Sequence, residues 1–277
     1  MRRRFITSDA SELHLHDHVA WCGEGTAGLD AIARDVFSAA AGRGEQMLLV
    51  SDPPDPERLA GLDDADELLG RGALQVAGVE ETYRNIFDLV AQLAAFTELV
   101  DRALGAGYSG LCVVGDNSRF VANDSEGDFA AWLAWETAAD RLQAVRPVTG
   151  VCYFDRQIVP PDRLKEVASI HPVLSSGLGT PMFQIFVDGD ALRLVGEVDA
   201  LSADSLHRTL ASAATSGGVV DVSGVVFMDH RALLTLDRVA RERGGLRIRG
   251  VRPFLRRVWD LLGVAEAGLE FADDPPC

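Results

Sequence analysis

Three sets of residues have the types and spacing that chemistry requires. His14, His16 and His18 alternate, and Cys22 falls on the same face of an extended strand, as ligands of one metal ion do. The paired-cysteine spacing of a structural zinc site is absent, so an exposed N-terminal segment is the simpler account and no metal is expected there. Gly23-Glu24-Gly25-Thr26-Ala27-Gly28 matches GxGxxG between a short apolar run and a helix-like segment, and Asp52 ends the next strand. In a dinucleotide site such glycines let a pyrophosphate approach a helix N-terminus while the acid holds a ribose. In a chain with 27 glycines the same spacing also arises by chance. Finally, an apolar strand and turn deliver Asp229 to the start of a helix, where a carboxylate accepts free backbone N–H groups and complements the dipole.

Other chemistry is excluded. No GxxxxGK[ST] occurs, and Lys165 is the only lysine among 26 basic side chains, so a standard phosphate loop is absent. The net charge of −16 disfavours direct binding to nucleic acid or to an anionic membrane. Eight arginines between Arg238 and Arg257, against Glu242 alone, make a local basic patch. It reads as a solvated face or as a docking surface for an acidic partner. Cys22, Cys112, Cys152 and Cys277 are too sparse for a disulfide framework, and Cys112 and Cys152 read as small core residues. No apolar run is long enough to span a membrane. Met1–Asp9 is basic but lacks the apolar segment of a signal peptide, so a cytoplasmic location is expected.

The elements that must position these residues divide in two. Charge is −13 over residues 1–178 and −3 over residues 179–277. The seam lies in the Gly-, Ser- and Pro-rich stretch Pro172–Pro181. This gives a first domain over 1–174, a linker over 175–181 and a second domain over 182–277. In the first, strands at 18–22, 47–51, 73–77, 111–114 and 148–154 alternate with helices at 29–41, 56–69, 82–104, 125–144 and 161–170. That alternation implies an α/β fold with a mostly parallel sheet flanked by helices. Ligands of such sheets bind beyond the carboxyl ends of the strands, which makes Glu24, Asp52, Asp116, Arg119 and Asp155 candidate ligand-binding residues. In the second, strands at 183–187 and 191–195 join through Asp188-Gly189-Asp190. A helix at 202–214, a strand at 219–222, a helix at 230–243, a strand at 246–249 and a helix at 253–262 follow.

The second domain resembles the STAS domain of anti-sigma-factor antagonists. The residues that carry this are Leu192–Asp199, ending in Gly196-Glu197-Val198-Asp199, then Asp221–Asp229, and Val258-Trp259-Asp260-Leu261-Leu262-Gly263-Val264. The resemblance implies a small α/β domain with a mixed sheet that binds an anti-sigma factor or a histidine-kinase-like ATPase. Asp199, Ser223, Asp229, His230 and Arg231 would form the contact surface. Phosphorylated members carry Asp-Ser-Ser/Thr-Gly where this chain has Asp229-His230-Arg231-Ala232. Arg231 has no hydroxyl, so phosphorylation at that position is chemically closed.

The first domain resembles MEDS, a sensory domain named from methanogen and methylotroph regulators. The motifs are His18-Val19-Ala20-Trp21, Met47–Asp52, Trp135-Glu136, Cys152-Tyr153-Phe154-Asp155 and His171-Pro172. The resemblance implies a fold akin to P-loop ATPases without the phosphate loop, sensing small molecules, hydrocarbon derivatives among them. It adds His18, Cys152 and His171 to the candidate ligand residues. The expectation is therefore a cytoplasmic signalling regulator rather than an enzyme, with no cofactor, that influences transcription through its partner; homo-oligomerisation is left open. The alternative is an NAD(P)-type nucleotide-binding enzyme that uses Gly23, Gly25, Gly28 and Asp52 and carries an appended interaction domain.

Overall fold

The computed structural model describes residues 2–123, 125–213, 218–262 and 269–271. The chain divides into two compact units, residues 3–180 and residues 181 onward.

The first unit runs β1 (Phe5–Thr7), β2 (His18–Gly23), α1 (Gly25–Gly42), β3 (Gln46–Val50), α2 (Ala65–Gly70), β4 (Leu74–Ala77), α3 (Val79–Thr82) and α4 (Leu89–Gly105). It continues with β5 (Leu111–Asp116), α5 (Ser118–Ala122), α6 (Glu126–Val145), β6 (Val148–Asp155), α7 (Pro161–Ile170) and β7 (Val173–Ser175). All seven strands are parallel, in the order β1-β7-β2-β6-β5-β3-β4. Helices cover both faces, which is why β3, β5 and β6 read as nearly unbroken apolar runs. In β2 and β6, Val19, Val151 and Tyr153 pack with Leu29, Val36 and Phe37 of α1. Their neighbours His18, Ala20, Cys152 and Phe154 point to the opposite face, because successive side chains alternate.

Three expectations need correction here. The helix expected over 56–69 is a 3-10 turn at Pro56–Leu59 followed by α2, because Gly61 and Asp64 take positive φ (91° and 58°) and break the run. The helix expected over 82–104 is interrupted at 83–88. Buried Gln92 accepts from the Asn85 N–H at 3.2 Å and donates to the Thr82 carbonyl at 2.9 Å, and Asp88 caps α4 through the Ala91 N–H. These side-chain bonds replace the backbone bonds of the missing turn. Ser175, expected to open the linker, is the last residue of β7. Like β1, that strand is only three residues long, too short for a periodic signal.

The second unit comprises β8 (Phe183–Asp188), β9 (Ala191–Val198), α8 (Ala203–Ser212), β10 (Val219–Met228), α9 (His230–Arg243), β11 (Leu246–Arg249), α10 (Pro253–Leu261) and β12 (Leu269–Phe271). The strand order is β12-β11-β10-β9-β8, with β8 antiparallel and the rest parallel. β10 runs six residues past its expected end at 222. Asp221-Val222-Ser223-Gly224 has turn composition, but register shifts against β9 absorb the extra residues and pairing continues to Met228. Ala214 at the expected end of α8, Gly263 and Val264 of the expected closing helix, and Cys277 lie outside the described residues.

Candidate functional site

The sheet face opposite α1 gathers five chemistry-bearing side chains under α6. His18 opens β2, and Cys152 stands in β6 in register with Ala20. Glu136 and Asp140 lie four residues apart on α6, so both project from one helix face. His171 ends α7. All five are buried. His18 Nε2 is 3.1 Å from Glu136 Oε2, and its Nδ1 is 3.1 Å from Asp140 Oδ1. His171 Nε2 is also 3.1 Å from Glu136 Oε2, while its Nδ1 donates to the Val167 carbonyl at 2.8 Å. Cys152 Sγ lies 3.5 Å from Glu136 Oε2 and 3.7 Å from His18 Nε2. The two imidazole centroids are 4.2 Å apart.

The electrostatics follow from burial and these contacts. Burial opposes a charge on Glu136, yet the hydrogen bonds from His171 and His18 hold its carboxyl at about 2. Burial presses His18 down, but Asp140 and Glu136 together raise it. His171 is lowered, by burial first and by the charge on His18 second. Burial pushes the Cys152 thiol well up, and the Glu136 carboxylate adds to this, so the thiol is not an activated nucleophile. The cluster therefore gathers two carboxyl groups, two imidazoles and a thiol in a dry setting.

A narrow cavity of about 30 Å³ adjoins it, lined by Tyr83, Phe96, Trp135 and aliphatic side chains, with Asn117, Gln143, Glu136 and Cys152 as its polar groups. Tyr83, Phe96 and Trp135 contact one another through their rings. Few polar groups among many apolar ones suit an apolar guest, but the closed volume is far below the roughly 300–1,000 Å³ of a formed small-molecule pocket.

Of the expected ligand residues, His18, Cys152 and His171 meet in this cluster. The groups at the carboxyl ends of the strands do not. Arg119 pairs with Asp52 at 3.2 Å, and Asp52 also accepts from the Val79 N–H. Asp116 accepts from the Ser118 N–H and Asp155 from the Gln157 N–H, so both carboxylates are bound up in their own turns. Glu24 is exposed at the N-cap of α1. His14 and His16 also stay apart from the cluster. His16 takes φ 79° in a turn, which breaks the expected alternation, and only His18 enters a strand.

The glycines of GxGxxG have a local reason. A Cβ on Gly23 would stand 2.7 Å from the Tyr153 ring, and one on Gly28 would stand 2.5 Å from the Tyr153 hydroxyl. Tyr153 lies across the start of α1 and donates to the Gly25 carbonyl at 2.7 Å. The aromatic ring fills the approach that a pyrophosphate would need.

Glu136 was legible only as part of the Trp135-Glu136 motif, and Asp140 went unread. A signal existed. Phe129, Trp132, Leu133, Glu136, Ala139, Asp140 and Gln143 recur at helical spacing on the buried face of α6, and two acids in such a stripe demand partners.

In the second unit, Asp229 caps α9 by accepting the Ala232 N–H at 2.9 Å, and its own N–H donates to Val198 at the end of β9. Asp199 sits beside it in sequence register, accepting from the Leu201 and Ser202 N–H groups. His230, Arg231 and Ser223 are exposed, with Ser223 at the β10 irregularity, where its N–H donates to Asp221. Val226 and Phe227 are also exposed, 67% and 48%, because the register shift between Val225 and Phe227 turns both out of the sheet. Much of the basic patch is paired within the unit, Arg238 with Glu242, Arg241 with Asp237, Arg249 with Asp190 and Asp221, and Arg256 with Asp260.

No helix among the described residues is long and apolar enough to cross a membrane. No curated protein matches the chain. A family model described as "Mlab, STAS domain" matches residues 183–270, and STAS domains generally mediate protein–protein interactions. A model described as "MEthanogen/methylotroph, DcmR Sensory domain" matches residues 17–172. Together the two domains mark a signalling or regulatory protein. With over half its length inside the second match, the chain belongs to the MEDS family of sensory domains, here followed by a STAS domain.

Proposed function

We propose that the first unit receives a small, largely apolar molecule in the aromatic cavity beside Glu136 and Cys152. In this reading the STAS unit binds a histidine-kinase-like ATPase or anti-sigma factor, and the partner's state then alters transcription. The observation that carries the reading is that cavity. It is apolar over most of its lining and edged by a buried thiol and carboxylate, within a domain of sensory type, and at about 30 Å³ its aromatic walls must part to admit the molecule. The output half is supported by the β10–α9 corner, where exposed Val226 and Phe227 flank Asp229, His230 and Arg231. Exposed apolar side chains beside a few charges suit a partner interface. Arg231 has no hydroxyl to form a phosphate ester, so in this reading control falls to the sensor rather than to ester phosphorylation at that position.

The test is affinity capture from source-cell lysate, with the full chain and its Phe227→Asp variant as baits and mass spectrometry of what is retained. An ATPase of the histidine-kinase type or an anti-sigma factor held by the first bait and lost from the second is the expected result. Equal retention by both baits, or no such protein on either, refutes the output half.

A further inference from the structure

The buried cluster has the donor set and the layout of a metal centre. We propose that His18 Nε2, Glu136 Oε2, Cys152 Sγ and His171 Nε2 bind one divalent transition-metal ion, zinc by preference, on the sheet face beneath α6.

The first argument is distance. These donors all lie within 4.8 Å of one another. In a tetrahedral zinc site, bonds of about 2.05 Å to nitrogen or oxygen and about 2.3 Å to sulfur set N···O edges near 3.3 Å and edges to sulfur near 3.6 Å. The edges here are 3.1 and 3.1 Å for N···O, 3.5 Å for S···O and 3.7 Å for S···N. The two remaining edges, from His171 Nε2 to His18 Nε2 and to Cys152 Sγ, lie within 4.8 Å, so closing the sphere takes side-chain adjustments of about 1 Å or less.

The second argument is orientation. Both imidazoles aim Nε2 inward because Nδ1 is anchored outside, on the Asp140 carboxylate for His18 and on the Val167 carbonyl for His171. Metal-bound histidines are held in this way, and the outer partner fixes tautomer and ring angle.

The third argument is ligand chemistry. One sulfur, two imidazole nitrogens and one carboxylate oxygen suit a borderline-soft ion and not magnesium or calcium, which take oxygen ligands. A thiolate and a carboxylate together match a divalent charge. The donors come from β2, α6, β6 and the end of α7, so one ion would tie together four elements distant in sequence. Glu136 and Cys152 also edge the aromatic cavity, so two of the ion's ligands would border any molecule that enters it. The inference concerns the receptor of the proposed function, but metal content is read whatever the STAS unit binds, so each can fail without the other.

The experiment uses the full chain. Metal content of purified protein is measured, and the stripped protein is then titrated with zinc and with cobalt(II). The expected result is about one zinc per chain. The cobalt form should show the intense visible bands of a tetrahedral site and a near-ultraviolet thiolate charge-transfer band. Cys152→Ser should remove the charge-transfer band, and Asp140→Asn should weaken affinity about 10–100-fold. His14→Gln should change nothing. The wild-type cobalt spectrum needs no variant to fold, so the test stands if Cys152→Ser is unstable. Three outcomes overturn the proposal. The stripped chain takes up no zinc or cobalt at micromolar concentration, or cobalt binds without the thiolate band, or Cys152→Ser and His171→Gln bind as the wild type does. The first would leave a hydrogen-bonded polar network in place of a metal centre.

Discussion

The Tyr153 hydroxyl donates to the Gly25 carbonyl at 2.7 Å, and a methyl on Gly28 would stand 2.5 Å from the same oxygen. The next-nearest ring atom, Cζ, is 3.4 Å away, which is ordinary contact. The clash therefore belongs to the hydroxyl alone. Gly28→Ala should destabilise the protein by about 1–3 kcal/mol in the wild-type background, the usual cost of overpacking. Tyr153→Phe alone should cost about 1 kcal/mol for the lost hydrogen bond. In that background Gly28→Ala should cost less than about 1 kcal/mol, a positive coupling read from urea unfolding of the four proteins. Equal penalties in both backgrounds would mean that Gly28 is kept free for something other than the tyrosine. At this scale two glycines of a spacing identical to a nucleotide motif are accounted for by one phenol, and the third, Gly25, by its φ of 58°.

Between β4 and α4 the chain makes two helical pieces where apolar spacing predicts one. Ile86 and Leu89 continue the period of Leu93 and Val100, so the interruption is invisible to a pattern of apolar residues. It is made by Gln92, wholly buried, whose amide bonds Thr82 and Asn85 across the break. Gln92→Leu keeps the volume but strands two backbone groups, at about 1–3 kcal/mol each if they stay dry. The expected outcome is a loss of about 2–4 kcal/mol in urea unfolding and faster amide exchange over residues 83–88. Because Tyr83 closes the aromatic cavity against Phe96 and Trp135, the cavity should loosen with it. Unchanged exchange at 83–88 would show that other contacts hold the break. The same reasoning separates what the sequence discloses from what it hides. The central strands and α7 are legible because burial on both faces, or a proline at N1, writes itself into local composition. β1 and β7 are three residues each, below any periodicity, and exist through pairing with distant chain. His18, Cys152 and His171 are legible through family motifs, whereas Glu136 and Asp140 lie in an apolar stripe and gain meaning only when β2 and α7 are laid beneath α6.

A chain that joins a sensory domain to a STAS domain signals only if the state of one changes the affinity of the other. The STAS unit has Arg231, which offers no hydroxyl for a phosphate ester, in the first turn of α9. The input that the proposed function assigns is occupancy of the first unit. Thermodynamic linkage makes this quantitative, because coupling free energy is shared equally by both ligands. If zinc at the His18–Glu136–Cys152–His171 cluster shifts the balance between two forms of the protein, the partner captured by the STAS unit should bind the loaded and stripped chains with affinities at least about fivefold apart. Saturating partner should then change zinc affinity by the same factor. Calorimetric titration of partner into both forms of the full chain, and competition for zinc by a chelator with and without partner, measure the two sides. Equal factors in the two directions establish coupling. A chain whose partner affinity ignores occupancy would have a receptor and an interaction module without communication, since a ligand with no differential affinity for two states shifts neither.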